Sequence, residues 1–272
     1  MATVYIAPTS QGTGDGSSAA NAYGYSSLSS AETAAGPGGT ILFLDGTYNF
    51  SGNQTWDNGG ESDMTYKSLN DHGAYLLGAT TIRSLTIGPS SGTATTKLEG
   101  FKAGNIRYAS GSGTATITLN NIKHADTFSG TRTYGIFYFV SNSNPCVVSN
   151  SSFVIDYSGS DKFTHTSGGA SLTSCSFYFK CTSVGTGGIS AGGSGPPASS
   201  KNTIFMSDNS NAINDAALNV STCTNCCIYQ MHANDSSGGT NNVFEDPQFL
   251  DAPNSDLRLR PTSPCIGAGT AS

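Results

Sequence analysis

Charge is scarce in this chain. Of 272 residues only 12 are Lys or Arg and 18 are Asp or Glu, well under the share that ordinary soluble domains carry. With a formal net charge of -6 and no run of Lys or Arg, nothing neutralises a phosphate backbone, so nucleic acid is not an expected partner. Long apolar runs are also missing: no stretch reaches the roughly 18–20 residues that span a bilayer, and no membrane association is expected. The opening Met1-Ala2-Thr3-Val4-Tyr5-Ile6 lacks the basic patch, apolar core and small-residue cleavage site of a secretory signal, so a soluble chain is expected. Helix-forming stretches are few; Ser29 to Ala35, ended by Gly36-Pro37-Gly38-Gly39, is the one that reads as a helix. The cysteines number seven, an odd count clustered late in the chain, which excludes a complete disulfide framework within one chain. Most are expected to be reduced, buried thiols.

Gly, Ser, Thr and Asn are plentiful instead, with Phe, Tyr, Ile and Val arriving in short clusters that can bury apolar area and so argue against disorder. Gly92-Thr93-Ala94-Thr95-Thr96-Lys97-Leu98 recurs as Gly113-Thr114-Ala115-Thr116-Ile117-Thr118-Leu119, an offset of 21 residues. A repeat of that size is one turn of a solenoid. A looser pattern sets a small polar residue three places before an apolar one: Asn150 before Phe153, Ser174 before Phe177, Asn202 before Phe205 and Asn225 before Ile228. The apolar members step by 24, 28 and 23 residues, the spacing of rungs joined by loops of varied length. Asn and Ser suit the bends, where they tolerate left-handed backbone.

Alternation along strands such as Phe153-Val154-Ile155 and Phe177-Tyr178-Phe179 predicts that Phe153, Ile155, Phe177 and Phe179 face inward. An outward ladder of Val154, Tyr178 and Tyr229 follows. The fold class predicted is all-β, a right-handed parallel β-helix with a short N-terminal capping helix. It is read as one domain over 1–272, with a cap over 1–40, rungs over 41–240 and a closing segment over 241–272. The competing antiparallel β-sandwich has short strands and Gly-rich turns but no rung-sized repeat.

Val4-Tyr5-Ile6-Ala7-Pro8, Gly14-Asp15-Gly16-Ser17, the stretch from Ser27 to Ala35, and Gly38-Gly39-Thr40-Ile41-Leu42-Phe43-Leu44-Asp45-Gly46-Thr47-Tyr48 resemble the N-terminal cap and first rung of pectate-lyase-like β-helix proteins. At the other end Asn242 to Phe249, Asp256-Leu257-Arg258-Leu259 and Ser263-Pro264-Cys265-Ile266-Gly267-Ala268-Gly269 resemble that superfamily's closing segment. Gly267 stands where its members often carry Asp. The resemblance implies the fold over essentially the whole chain. It selects no activity, since the superfamily holds lyases, hydrolases, epimerases, phage tailspikes and non-catalytic surface proteins. A softer resemblance, in the Met-Ala-Thr-Val-Tyr opening and its Ser/Gly/Ala-rich continuation, is to β-helix proteins of tailed bacteriophages.

β-Elimination beside a uronate carboxylate needs a base and a cation. The paired Arg and Asp motifs of pectate lyases and polygalacturonases have no counterpart here, and the most base-like grouping is Lys123, His124 and Arg132. Asp161-Lys162-Phe163-Thr164-His165 reads as an exposed loop. Cys223-x-x-Cys226-Cys227 with His232 lacks a second ligand pair for zinc, and no metal is expected. Ca²⁺ at Gly14-Asp15-Gly16 or Asp45-Gly46 is the weaker reading beside simple turn chemistry. Aromatics available to stack on sugars or pack against a neighbouring subunit are Trp56, Tyr66, Tyr138, Tyr178 and Tyr229, with core or interface packing the leading reading for any single one. The Gly/Ser-rich stretch from Gly185 to Ser200 reads as an excursion between rungs.

The function expected is that of a virion-associated structural protein in a tail, fibre or capsid-surface position, assembled in the host cytoplasm and contacting host glycans. Its expected partners are other virion proteins or further copies of itself as a homotrimer, with a polysaccharide as ligand and no cofactor. The alternative is a polysaccharide lyase or glycosidase centred on Lys123, His124 and Arg132 and acting outside the cell. An exported bacterial surface protein ranks third.

Overall fold

The chain turns corner after corner on a single residue with left-handed backbone. Asn121, Asn150, Ser174, Asn202, Asn225 and Asn241 all have φ between 50° and 54°, a region that Asn tolerates because its short polar side chain can bond locally. Gly100, at φ 75°, does the same one coil before Asn121. The computed structural model describes residues 2–56, 63–78, 83–88, 94–110, 116–126, 137–139, 146–157, 164–166, 170–181, 199–208, 222–231 and 239–270. Within them each corner joins a strand of one long sheet to a strand of the next.

Three parallel sheets result. Sheet A has ten strands, sheet B eight and sheet C five, and successive coils stack strand on strand in a right-handed parallel β-helix. One coil reads Thr95–Glu99 in sheet A, Lys102–Gly104 in sheet B and Ile106–Ser110 in sheet C, before the chain returns to sheet A at Thr116–Asn120. Thr116 pairs with Thr95, so the 21-residue offset is one coil. Phe153 pairs with Phe177, Phe177 with Phe205, and Phe205 with Ile228, so the steps of 24, 28 and 23 residues are also single coils. Every pair in these three sheets is parallel, which rules out the sandwich; the one antiparallel pair, Phe249–Asp251 with Asp256–Leu259, lies outside them.

The register places like on like in the interior. Phe153 lies on Phe177 at 4.8 Å and 6°, and Phe177 on Phe205 at 5.4 Å and 10°. That is close to the roughly 4.8 Å strand spacing, so parallel pairing alone delivers offset ring stacks. Full burial of each Phe contributes about 1.5–3 kcal/mol before entropy is counted. From Ser151 onward the residue after each corner forms a second ladder of small polar groups, where Phe101 and Ile122 are apolar in earlier coils: Ile122 N donates to Ser151 Oγ (2.9 Å), Cys175 N to Thr203 Oγ1 (3.4 Å) and Cys226 N to Asn242 Oδ1 (2.9 Å). Cys175 and Cys226 occupy this ladder as weak donors, their thiols reaching Thr173 O (3.3 Å) and Thr224 O (3.5 Å).

At the N-terminal end the helix Leu28–Ala35 buries Leu28, Ala31 and Ala35 beside the first strands and stops at Gly36, φ 66°. It is held by the Tyr66 hydroxyl, which donates to Glu32 Oε1 at 2.6 Å. Strand Thr3–Ala7 pairs in parallel with Thr40–Phe43, so the stack begins inside the stretch read as a cap over 1–40. Trp56 is not available to a sugar or a neighbouring subunit: it is fully enclosed, 5.1 Å from Phe43 and 5.0 Å from Tyr66, with Phe50 and Phe101 completing the cluster. Tyr66 is likewise interior.

The far end differs from a simple closing segment. Thr240 and Val243 add a partial last coil on Thr224 and Cys227, and Phe244 packs on the core. Beyond it the antiparallel pair folds back along the side of the helix and covers the outer face of sheet B from Ala125 to Met206, with Phe249 and Ala252 buried there and Leu257 and Leu259 packed against them.

Two substitutions test the corner and the stack. Phe177→Ala should cost about 3–5 kcal/mol in denaturant unfolding. Asn121→Gly should be nearly neutral while Asn121→Val costs about 1–2 kcal/mol; equal stability of those two would remove the left-handed corner from the account.

Candidate functional site

Lys123 and His124 are neighbours on the strand Lys123–Ala125, and adjacent strand residues point to opposite faces. His124 pairs with Ala103 on one side and Phe153 on the other, so it joins the inward column and is 1 % exposed. Its Nε2 lies 3.0 Å from Asp126 Oδ1, with both side chains buried. The Tyr108 hydroxyl is 3.5 Å from Nδ1, and Asn105 N donates to Asp126 Oδ1 at 3.2 Å. This is an internal polar knot joining sheets B and C. Lys123 faces outward, where its charge, after the larger effect of Arg258, helps hold down the carboxyl of Asp256 in the folded-back segment. Lys123 and His124 therefore share no surface, and the base-plus-cation grouping is corrected: the one-residue spacing that made them look like a pair is what separates them. Arg132 lies outside the described residues.

The outward ladder of sheet B forms in register as Ala125, Val154, Tyr178, Met206 and Tyr229. Its direction follows the sequence reading but its availability does not. Val154 is 5 % and Tyr178 3 % exposed, because Phe249, Ala252, Leu257 and Leu259 cover them. Nothing in the strands themselves announces this cover; it comes from a segment more than sixty residues away in sequence from Tyr178. Tyr229, at the end of the ladder, keeps partial exposure. Tyr138 sits in register with Ala109 and His165 in sheet C, and its side chain lies outside the described residues, as do Asp161 to Phe163, His232 and residues 182–198.

Where they are described, the acidic turns and the cysteine cluster considered for a metal are held by protein groups. Asp15 accepts from Ser17 N (2.9 Å) and Thr13 Oγ1 (2.9 Å), and these bonds, that from Ser17 above all, hold its carboxyl below the usual range. Asp45 accepts from the Asn70 side-chain amide at 3.0 Å. Among the described residues no group of three or more His, Cys, Asp or Glu could hold a metal ion. Cys226 points into the corner ladder, whereas Cys227 faces out from sheet B toward the folded-back segment, where it bonds Glu245 O at 3.3 Å and the Cys265 thiol. That bond pushes the Cys227 thiol up and the Cys265 thiol down.

The face left open is that of sheet A. One outward ladder runs Thr3, Thr40, Thr65, Lys97, Thr118, Val147, Ser171, Ser199. Beside it runs Tyr5, Leu42, Lys67, Glu99, Asn120, Ser149, Thr173, Lys201, Thr224. Hydroxyls and amides dominate both. Neighbours bond along them, as Ser149 Oγ to Asn120 Oδ1 (3.0 Å) and Ser199 Oγ to Ser171 Oγ (3.2 Å), and Lys67 pairs with Glu99 at 2.6 Å. Sequence reasoning missed this face because its Thr and Ser residues look like generic solvent-facing composition until register lines them up.

The molecule is thus a parallel β-helix protein with one side face covered and another open and polar. Two solved structures are similar to it. The crystal structure of pectate lyase Pel9A is 14 % identical over 100 % of this chain and 92 % of that one, with a TM-score of 0.41. Pectin methylesterase PemA from Erwinia chrysanthemi is 14 % identical over 87 % of this chain and 80 % of that one, with a TM-score of 0.42. No protein-family model matches the chain, and no curated protein sequence does.

His124→Ala should destabilise by about 3–5 kcal/mol, since Asp126 would keep its burial and lose its partner, whereas Lys123→Ala should stay within about 1 kcal/mol. Equal, small effects in thermal unfolding would return the pair to a common surface. In native protein, limited alkylation read by mass spectrometry should modify Cys265 first. Cys175, whose thiol burial pushes up to about 12, should react only on unfolding; early labelling of Cys175 would contradict the interior ladder.

Proposed function

We propose that this chain is a structural β-helix of a virion surface, in a tail, fibre or capsid position, that contacts host-surface glycans along the open face of sheet A. The observation that carries the reading is that face: parallel ladders rich in Thr, Ser and Asn repeat at roughly the strand spacing of 4.8 Å, with Lys67 paired to Glu99 and with Lys97 and Lys201 as further charges. Such an array offers hydroxyl and amide partners to a polyhydroxylated chain lying across the coils, and Tyr5, Leu42 and Val147 add apolar contact on the same face. The surface made polar by hydroxyls rather than charge, and the unpaired thiols, suit a particle component assembled in a reducing cytoplasm and used outside it. Further copies of the chain and other virion proteins are its expected partners.

Purified protein should bind immobilised glycans of the host surface, and Thr118→Arg or Ser171→Arg, each placing a long cation on the open face, should weaken binding at least fivefold without moving the melting temperature. Release of unsaturated, ultraviolet-absorbing products from a uronate polymer would instead favour a lyase. Binding untouched by both arginine variants would take the contact away from sheet A.

A further inference from the structure

A second place on the molecule has the make-up of a ligand site. Between the helix Leu28–Ala35 and the first coil lies a cavity of about 660 Å³, within the roughly 300–1,000 Å³ of small-molecule sites. Thr47, Asn49, Ser51 and Thr55 form an exposed rim, and Tyr25 and Gln54 sit half-buried behind it. Its chemistry is narrow. Among the described residues Glu32 is the only charged one in the lining, no Lys, Arg or His takes part, and the remainder is hydroxyl, amide, aromatic and aliphatic.

The groups that would touch a ligand are already positioned. The Tyr25 ring stacks on Phe50 at 6.0 Å and 8° and meets Tyr48 edge-on at 5.4 Å, which fixes its plane. Its hydroxyl donates to Gln54 Oε1 at 3.3 Å, while Gln54 Nε2 donates to Gly52 O at 3.2 Å. Glu32 is held in turn by the Tyr66 hydroxyl. The fully enclosed Trp56 indole N–H is directed at the Tyr25 hydroxyl, a further restraint on the Tyr25 ring. A rigid aromatic surface ringed by hydroxyls and amides matches a sugar ring, which has apolar C–H faces and hydrogen-bonding edges. An anionic sugar or phosphate would meet Glu32 and find no cation to balance it.

We propose that this cavity binds a neutral saccharide unit at the N-terminal end of the β-helix, a site separate from the face of sheet A and independent of the reading given to that face. The test uses the full chain with the methyl glycosides of glucose, galactose, mannose and N-acetylglucosamine, and with galacturonate as the acidic counterpart. Saturation-transfer NMR should detect at least one neutral glycoside and no galacturonate. Hydrogen exchange of the unaltered protein should slow over 25–32 and 47–55 when that glycoside is added. Asn49→Trp, which fills the mouth, and Gln54→Ala should each weaken binding at least fivefold, while Ser171→Arg on sheet A leaves it unchanged. No signal from any neutral glycoside, equal binding of galacturonate, or protection elsewhere in the chain would each overturn the assignment. Loss of sheet A binding with the cavity intact would overturn only the other reading.

Discussion

Parallel stacking in register is the constraint on which the rest of the molecule depends. Because each coil places its strands directly over those of the coil before, any residue type chosen once per coil becomes a column. Asn and Gly at the sheet A to sheet B corner become a column of left-handed turns, which no β-branched residue could supply without strain. The residue after becomes, from Ser151 onward, a column of small hydrogen-bonding groups that satisfies corner amides, and the one two places further becomes the column Ala103, His124, Phe153, Phe177, Phe205, Ile228. Stability, interior chemistry and surface pattern are therefore one property read at different offsets from the corner.

The same rule explains why the chemistry in this chain is mostly interior. His124 and Asp126 occupy positions where neighbouring coils carry large apolar groups, and they are tolerated because they satisfy each other with Tyr108 and Asn105 close by. The cysteines of the corner ladder stand where Ser, Thr and Asn stand in other coils. Neither group faces a substrate. What faces outward on sheet A is rich in hydroxyls, with Lys67, Lys97, Glu99 and Lys201 among them, a surface suited to many weak polar contacts.

The coils were legible in the sequence because their signals are local. The 21-residue repeat and the Asn/Ser pattern each report one corner, and both correspond to observed pairings. Extending that pattern one coil earlier, from Asn150 and Phe153 to Asn121 and His124, would have placed His124 in the interior column; its neighbour Lys123 drew attention instead to a supposed polar pair. A lone Trp carries no periodicity of its own, so the sequence leaves Trp56 open between core packing and a surface role, and packing decides it. The cover over Val154 and Tyr178 was not legible, since it comes from the folded-back Phe249 to Leu259 segment, whose contacts are all long-range. The open face of sheet A and the cavity beneath the helix likewise exist only once register and packing are known.

The folded-back segment closes the outer face of sheet B from Ala125 to Met206 and leaves the outer face of sheet A open. Hydroxyl-radical footprinting of the native protein tests it most directly. Leu42 and Val147 should be oxidised readily while Tyr178 and Phe249 stay protected until the protein unfolds. Labelling of Tyr178 and Phe249 at the rate of Val147 would contradict the claim.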